Sequence, residues 1–298
     1  MMERIRIATW NCFGAPVSAD DFFSGRPFWP ERLESRTLID TLSAFDVVCV
    51  QENFVERVRQ SLERVRELAG FTELWFDPMG PDLDDGTFSG GGLAILSRWP
   101  MRAEFVRLPR GAGPDGFARK GLALAHVKLP SGREVVVVNT HLQADDPNVP
   151  VSACREARSA QLAALALALA PLRRARTPVI VCGDLNVAHG TDEYDELSSL
   201  LGESSDGEPH GAFLDLAAGA GLHTYDVDRN DLAATFYLGG PDRALFDYIW
   251  VSPGFTAHEV RTILDEPLPD LGAPPPPHAA RPFPSDHFGV GATLHILV

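Results

Sequence analysis

The chain has 298 residues, 45% of them hydrophobic and 22% charged, enough for one large domain or two ordinary ones with a substantial core. Its formal net charge is −15, and no basic stripe of the kind that tracks a long polyanion is visible, which weighs against a nucleic-acid binder. No run is long and apolar enough to span a bilayer, the Ala160 to Ala170 stretch being too short. Neither a charge-rich block nor a Gly/Ser linker divides the chain. Polar motifs run from Asn11 to His287, so one site would draw on both ends, and a single domain over residues 1–298 is expected.

The N-terminus, Met1 to Arg6, carries no apolar signal region. Strand-like alternation begins at once with Ile5, Ile7 and Thr9 and runs into Trp10-Asn11. An aromatic loop from Asp21 to Pro30 holds Phe22, Phe23, Phe28 and Trp29, a density suited to a peripheral membrane contact or to a lid on the core. Leu38, Ile39, Leu42 and Phe45 mark one helical face; the strand Val47 to Val50 follows and stops on Gln51-Glu52. Phe54, Val58, Leu62, Val65 and Ala69 give a second helix. A Gly/Asp-rich loop, Gly80 to Gly92, leads to strand Leu93 to Ser97, and another loop, Pro109 to Gly116, to strand Leu122 to Val127. Ser131-Gly132 turns the chain into strand Val135 to Val138, which ends on Asn139-Thr140-His141.

A long helix is expected from Ser152 to Leu169, stopped by Pro171 and Arg173-Arg174. Strand Val179 to Cys182 then runs into Gly183-Asp184-Leu185-Asn186. Leu197 to Leu201 is helical, and strands are expected at Thr235 to Leu238, Phe246 to Val251 and Val290 to Val298. Pro274 to Pro277 reads as a stiff extended loop before Ser285-Asp286-His287. Strands outnumber helices but helices intervene. The expected fold is α/β, a four-layer sandwich of two mixed sheets packed face to face with helices outside.

Cys12, Cys49 and Cys182 lie in or beside apolar strands and Cys154 opens a helix, with no paired metal-ligand spacing. Buried free thiols and a reducing, cytoplasmic location are the expectation.

Polar groups stand repeatedly at strand ends, where one rim of a sheet core would gather them. Any one alone is ordinary turn chemistry, and a lone His141 is more often structural than catalytic. Their conjunction points to chemistry. Glu52, Asp184, Asp247 and Asp286 would place four acids in one site, and carboxylates that close repel by several kcal/mol. All-oxygen donors, with Asn11 and Asn186 as amides, suit Mg²⁺ or Mn²⁺ rather than zinc. His141 and His287 supply phosphate contact and proton transfer, with Asp247 as partner of His287. Only Lys120 and Lys128 are lysines among 26 basic residues, so Lys120 is a candidate for the phosphate pocket, weighed evenly against an ordinary surface lysine.

In order, Trp10-Asn11, Gln51-Glu52, Asn139-Thr140-His141, Gly183 to Asn186 and Ser285-Asp286-His287 resemble the motifs of the endonuclease/exonuclease/phosphatase superfamily. The resemblance implies that fold and metal-assisted phosphoester hydrolysis by direct water attack. It further implies that Asn11 and Glu52 lie at the metal, that Asp184 and Asn186 position nucleophile and phosphate, and that His141 contacts the phosphate; Asn139 joins Lys120 as a candidate substrate-binding residue. Asp247 and His287 form the acid–base dyad beside Asp286. Within the superfamily, Asn11-Cys12-Phe13-Gly14-Ala15-Pro16, Thr140 to Ala144, Arg155 to Leu162, Phe117 to Gly121 and Gly90 to Leu93 are similar to the neutral sphingomyelinases. The implied function is a magnesium-dependent phosphodiesterase of sphingomyelinase or phospholipase C type acting on a phospholipid. Alternatives are a nuclease or a phosphatase of soluble phosphoesters, and, in another class, a non-catalytic binding module.

Overall fold

The computed structural model describes residues 2–15, 29–82, 84, 86–202, 212–272 and 281–297. Twelve of the strands form two six-stranded sheets. The first comprises β1 (Met2–Asn11), β2 (Val47–Gln51), β3 (Glu73–Phe76), β4 (Ala94–Ser97), β13 (Phe255–Ile263) and β14 (Gly289–Leu297), in the order β13-β14-β1-β2-β4-β3. The second comprises β5 (Met101–Arg107), β6 (Gly121–Lys128), β7 (Glu134–His141), β8 (Val179–Asp184), β9 (Leu214–Asp215) and β12 (Asp247–Val251), in the order β5-β6-β7-β8-β12-β9. A small ribbon, β10 (Tyr225–Asp226) with β11 (Arg243–Ala244), precedes β12. Each large sheet is built around one parallel pair, β1 with β2 and β7 with β8, flanked by antiparallel neighbours. Both are therefore mixed sheets, as the strand–helix alternation predicts.

Period-2 alternation places the layers. Ile5 and Ile7 of β1 and Val47 and Cys49 of β2 share one core with residues of the second sheet, such as Val137 and Cys182. Ala8, Trp10, Val48 and Val50 point the other way, under α1 (Arg36–Ser43) and α2 (Glu56–Ala69), which bury Leu38, Leu42, Val58, Leu62 and Val65 there. On the far side α3 (Val151–Arg174) and α4 (Asp192–Gly202) cover the second sheet through Leu162, Leu165, Leu169, Leu197 and Leu201. Helices thus lie outside both sheets. Among the described residues no helix is long and apolar enough to cross a membrane.

Besides the two-residue strands β9, β10 and β11, three longer strands escape the sequence reading: Glu73–Phe76, Met101–Arg107 and Phe255–Ile263. These three are edge strands, where one polar face meets solvent and the apolar signal is diluted. The strand expected at Thr235 to Leu238 is absent. A short helix, α6 (Asp231–Thr235, after α5 at Leu216–Gly219), occupies its start because the Asn230 side chain caps it, accepting from Leu232 N at 3.0 Å and Ala233 N at 3.4 Å. Burial of Leu232 and Ala233 outweighs the β propensity of Thr-Phe-Tyr. The Pro274 to Pro277 loop and Phe22, Phe23 and Phe28 lie outside the described residues.

Asn139 corrects another expectation. It is fully buried and its amide joins the two sheets, donating to Val50 O at 3.0 Å and Ala94 O at 2.9 Å while its oxygen accepts from Gln51 Nε2 at 2.6 Å. A side chain so committed holds the sandwich together one layer below the rim; it does not face a substrate. Asn139→Ala is expected to lower stability by about 3 kcal/mol, because it strands three buried partners. Chemical denaturation should show the drop in midpoint, with KM unchanged in the folded fraction; an unchanged midpoint would refute the bolt.

Candidate active site

Strand parity carries the candidate residues to one rim. In β1 the inward series Ile5, Ile7, Thr9 ends on Asn11; in β7 inward Asn139 is followed two residues later by His141; in β8 Cys182, which meets Cys49 across the core, is followed by Asp184. His141 pairs with Asp184 in the parallel ladder, and Asp247, at the start of β12, pairs with Asp184 in the antiparallel one, so all three side chains share a face. Glu52, just past β2, and Asn186, two residues past Asp184, adopt left-handed backbone at φ 64 and 51. Such conformations are costly for residues other than glycine and cluster at functional sites. Gly183 allows the close approach of β8 to β7: a Cβ there would lie 2.0 Å from Thr140 O.

The side chains converge. Asn11 Nδ2 donates to Glu52 Oε1 at 2.9 Å and to Asp184 Oδ2 at 3.0 Å. His141 Nε2 lies 3.8 Å from Asp184 Oδ2 and 4.0 Å from Glu52 Oε1. His287 Nδ1 donates to Asp247 Oδ2 at 2.8 Å and stands 3.7 Å from Asp184 Oδ2. Asp286 is tethered by Ser285 Oγ at 3.2 Å, and the same hydroxyl accepts His287 N at 3.2 Å. Asn186 N donates to Asp184 Oδ1 at 2.9 Å and its Nδ2 to Leu142 O at 3.2 Å. Asn11 departs from the expected oxygen ligand: Phe13 N occupies its Oδ1 at 3.0 Å, which turns the NH₂ group toward the acids.

Burial dominates the electrostatics. It pushes Glu52 up to about 7, with the Asp286 charge adding to it. It pushes Asp247 up to about 6, assisted by Asp184 and opposed by His287, and it also raises Asp286. Burial, then the Lys120 charge, holds His141 well below the ordinary imidazole range, so His141 is neutral. For His287 burial again favours the neutral form, but Asp247, Asp184 and Asp286 outweigh it and hold the ring well above that range. Among the described residues Asp247 Oδ1 is buried with no hydrogen-bond partner, and ligand-type atoms of Asp184, Asp247 and His287 lie within 4.8 Å of one another. An orphaned carboxylate oxygen amid mutually repelling acids fits a hard divalent cation.

Supporting residues invisible to the sequence reading hold this rim. Arg32, fully buried, donates to Pro284 O at 2.8 Å, Cys12 O at 2.6 Å and Phe13 O, clamping the segment after Asn11 to the one before Asp286. Thr224 Oγ1 accepts from Phe246 N and Asp247 N at 3.0 and 3.2 Å. Asn230 Nδ2 donates to Ser285 O at 2.8 Å; its capping position was the one available signal for it. Asp77, paired with Arg59 at 2.7 Å, accepts from Gly91 N and Leu93 N, and Gly92 O accepts Asn53 N at 3.0 Å beside Glu52.

Lys120 is no surface lysine. Its ammonium is buried, pairs with Asp115 Oδ1 at 2.8 Å and donates to Leu142 O at 3.0 Å, the carbonyl that Asn186 also uses. It braces the end of β7 next to His141 and is engaged by protein on two sides. Arg158 and Gln161, within the Arg155 to Leu162 stretch singled out in the sequence, have a similar structural role. Arg158 donates to Gln143 O at 2.8 Å and to both oxygens of Glu193, and Gln161 Oε1 accepts Gln143 N at 2.8 Å, so α3 props the loop after His141.

Two face-to-face mixed sheets, helices outside, and an acid–imidazole cluster at one rim define the phosphoesterase-type sandwich. The chain belongs to the endonuclease/exonuclease/phosphatase family, whose sequence profile matches residues 8–287. It is 26% identical over 225 residues to a sphingomyelinase C of Listeria ivanovii, covering 72% of this chain and 64% of that protein. It is 27% identical over 229 residues to a phospholipase C of Staphylococcus aureus, covering 72% and 64%. The matched region thus spans less than two thirds of these relatives' length. Among solved structures, a Staphylococcus aureus beta toxin mutant with bound magnesium ions superposes with a TM-score of 0.68 at 19% identity, covering 97% of this chain and 99% of that one. This likeness establishes the shared fold.

Proposed function

We propose that the protein is a magnesium-dependent phosphodiesterase of sphingomyelinase C or phospholipase C type, cleaving a phospholipid by attack of water on phosphorus. The observation that carries this reading is the 2.8 Å Asp247–His287 dyad set against Asp184 and Glu52 at one rim. The family membership and the names of the sequence relatives support it.

Glu52 is the carboxylate assigned to hold the metal, with Asn11 fixing its orientation. Magnesium bound there would supply Lewis-acid polarisation of a phosphoryl oxygen. The protein's own groups do the rest. His287 is held in one tautomer by Asp247, which leaves Nε2 as the atom that exchanges a proton with water. Neutral His141 offers an N–H to a phosphoryl oxygen. Asp184 and Asn186, linked at 2.9 Å, orient the nucleophile and phosphate. The four cysteines are free and buried, which supports the proposal of a reducing, cytoplasmic setting.

The test is a substrate panel of sphingomyelin, lysophosphatidylcholine, DNA and inositol phosphates with Mg²⁺ or with EDTA. Release of phosphocholine from a choline lipid, abolished by EDTA, is expected. Preference for DNA or inositol phosphates would replace the substrate assignment, and inertness toward the whole panel would indicate a binding module.

A further inference from the structure

Ten large hydrophobic residues are exposed among the described residues, and five of them, Met79, Phe88, Phe117, Tyr237 and Leu238, lie on loops at the rim that carries Glu52 and His287. The loop holding Met79 and Phe88 enters β4 at Ala94, opposite Val50, and the loop holding Phe117 enters β6 just before Leu122, opposite Thr140. Tyr237 and Leu238 stand between β10 and β11, on the approach to Asp247.

Two of these five, Phe88 and Phe117, form a pair. Their rings meet edge to face at 5.4 Å yet remain 50% and 46% exposed. They are displayed by backbone pairing: Phe88 N donates to Phe117 O at 2.8 Å, Ser89 N to the same carbonyl at 3.2 Å, and Arg119 N to Ser89 O at 3.1 Å. The Arg119 guanidinium ties in the third segment, donating to Pro78 O at 3.5 Å and Gly80 O at 3.2 Å on either side of Met79. Rings that serve only to cover a core would be turned inward; these are held out in a fixed arrangement.

We propose that the Phe88–Phe117 pair is an interfacial anchor that seats the rim on a zwitterionic phospholipid surface. The proposal rests on the reading of the substrate as a membrane phosphodiester. Continuity supports the occupant: one anchoring loop runs into Gly92, whose carbonyl takes Asn53 N beside Glu52, and the other runs into Lys120 beside His141. Charge selects the lipid, since a net charge of −15 opposes an anionic bilayer, whereas aromatic rings partition into the headgroup zone without a charge requirement.

Co-sedimentation with vesicles of phosphatidylcholine and sphingomyelin in EDTA reads binding without turnover. Phe88→Ser/Phe117→Ser is expected to bind about tenfold more weakly than wild type, with turnover of a soluble bis-phosphodiester unchanged. Phe88→Trp/Phe117→Trp should bind at least as well as wild type. Leu68→Ser/Leu167→Ser, which alters exposed apolar residues on outer helices, should bind as wild type. Absence of wild-type binding, binding indifferent to the two rings, equal loss in the Leu68/Leu167 control, or a wild-type dimer that the Phe→Ser variant dissociates without changing vesicle binding would each overturn the anchor. Because binding is read without catalysis, ring-dependent binding with no lipid cleavage would support the anchor and remove only the substrate assignment.

Discussion

Glu52→Gln is expected to abolish magnesium-dependent hydrolysis while leaving the fold in place. The residue sits on a left-handed backbone immediately after β2, its carboxylate accepts Asn11 Nδ2 at 2.9 Å, and burial with Asp286 nearby pushes it up from 4.5 to about 7. Glutamine keeps the shape and can still accept from Asn11, but it removes the charge a cation needs. The same change relieves repulsion in metal-free protein. The sign follows from linkage: a carboxyl whose folded pKa lies above its unfolded one binds its proton more tightly in the native state. Metal-free wild type should therefore lose stability as pH rises from about 4.5 to about 7. Glu52→Gln should remove that part of the loss, giving a higher Tm in EDTA at neutral pH together with null turnover. Retained hydrolysis with unaltered Mg²⁺ dependence would sink the metal assignment.

His287→Ala should reduce turnover by roughly 10²–10⁴-fold, the range for removing a proton-transfer group. The structural ground is the 2.8 Å bond to buried Asp247, with rings of Tyr225 and Phe246 at 5.4 and 6.1 Å confining the imidazole. Asp247→Asn should slow the reaction by a smaller factor, since the ring remains but its tautomer is no longer enforced. Added imidazole should restore part of the His287→Ala activity and none of the Glu52→Gln activity. If His287→Ala keeps more than about a tenth of wild-type turnover, the dyad does not perform the proton transfer proposed for it.

Much of the candidate site was legible because strand ends advertise themselves. A buried strand is an apolar β-branched run, and the polar groups that follow Val50 (Gln51-Glu52), Val138 (Asn139-Thr140-His141) and Cys182 (Gly183-Asp184) break the run at a definable point. Parity then does what a sequence cannot display: it puts Asn11, His141 and Asp184 on the inner face, and register sets Asp247 opposite Asp184. The same parity removes Asn139 from the substrate, because two residues deeper on that face the chain is between the sheets.

Composition and motif order by themselves determined an α/β sandwich, the acids and histidines, and the resemblance to a family that the profile match then established. Only the tertiary structure decided the rest. Arg32, Thr224, Asn230 and Asp77 act on backbone groups remote in sequence, such as Arg32 on Pro284 O, and no local pattern encodes a partner 252 residues away. Lys120 stood out by its residue type, but its buried pairing with Asp115 depends on how two loops fold together. Thr235 to Leu238 looked like a strand because β propensity is a local preference, and it lost to an Asn230 cap and two buried side chains. Local sequence specifies which residues can meet at a strand end; the packing of one sheet on the other specifies which of them do.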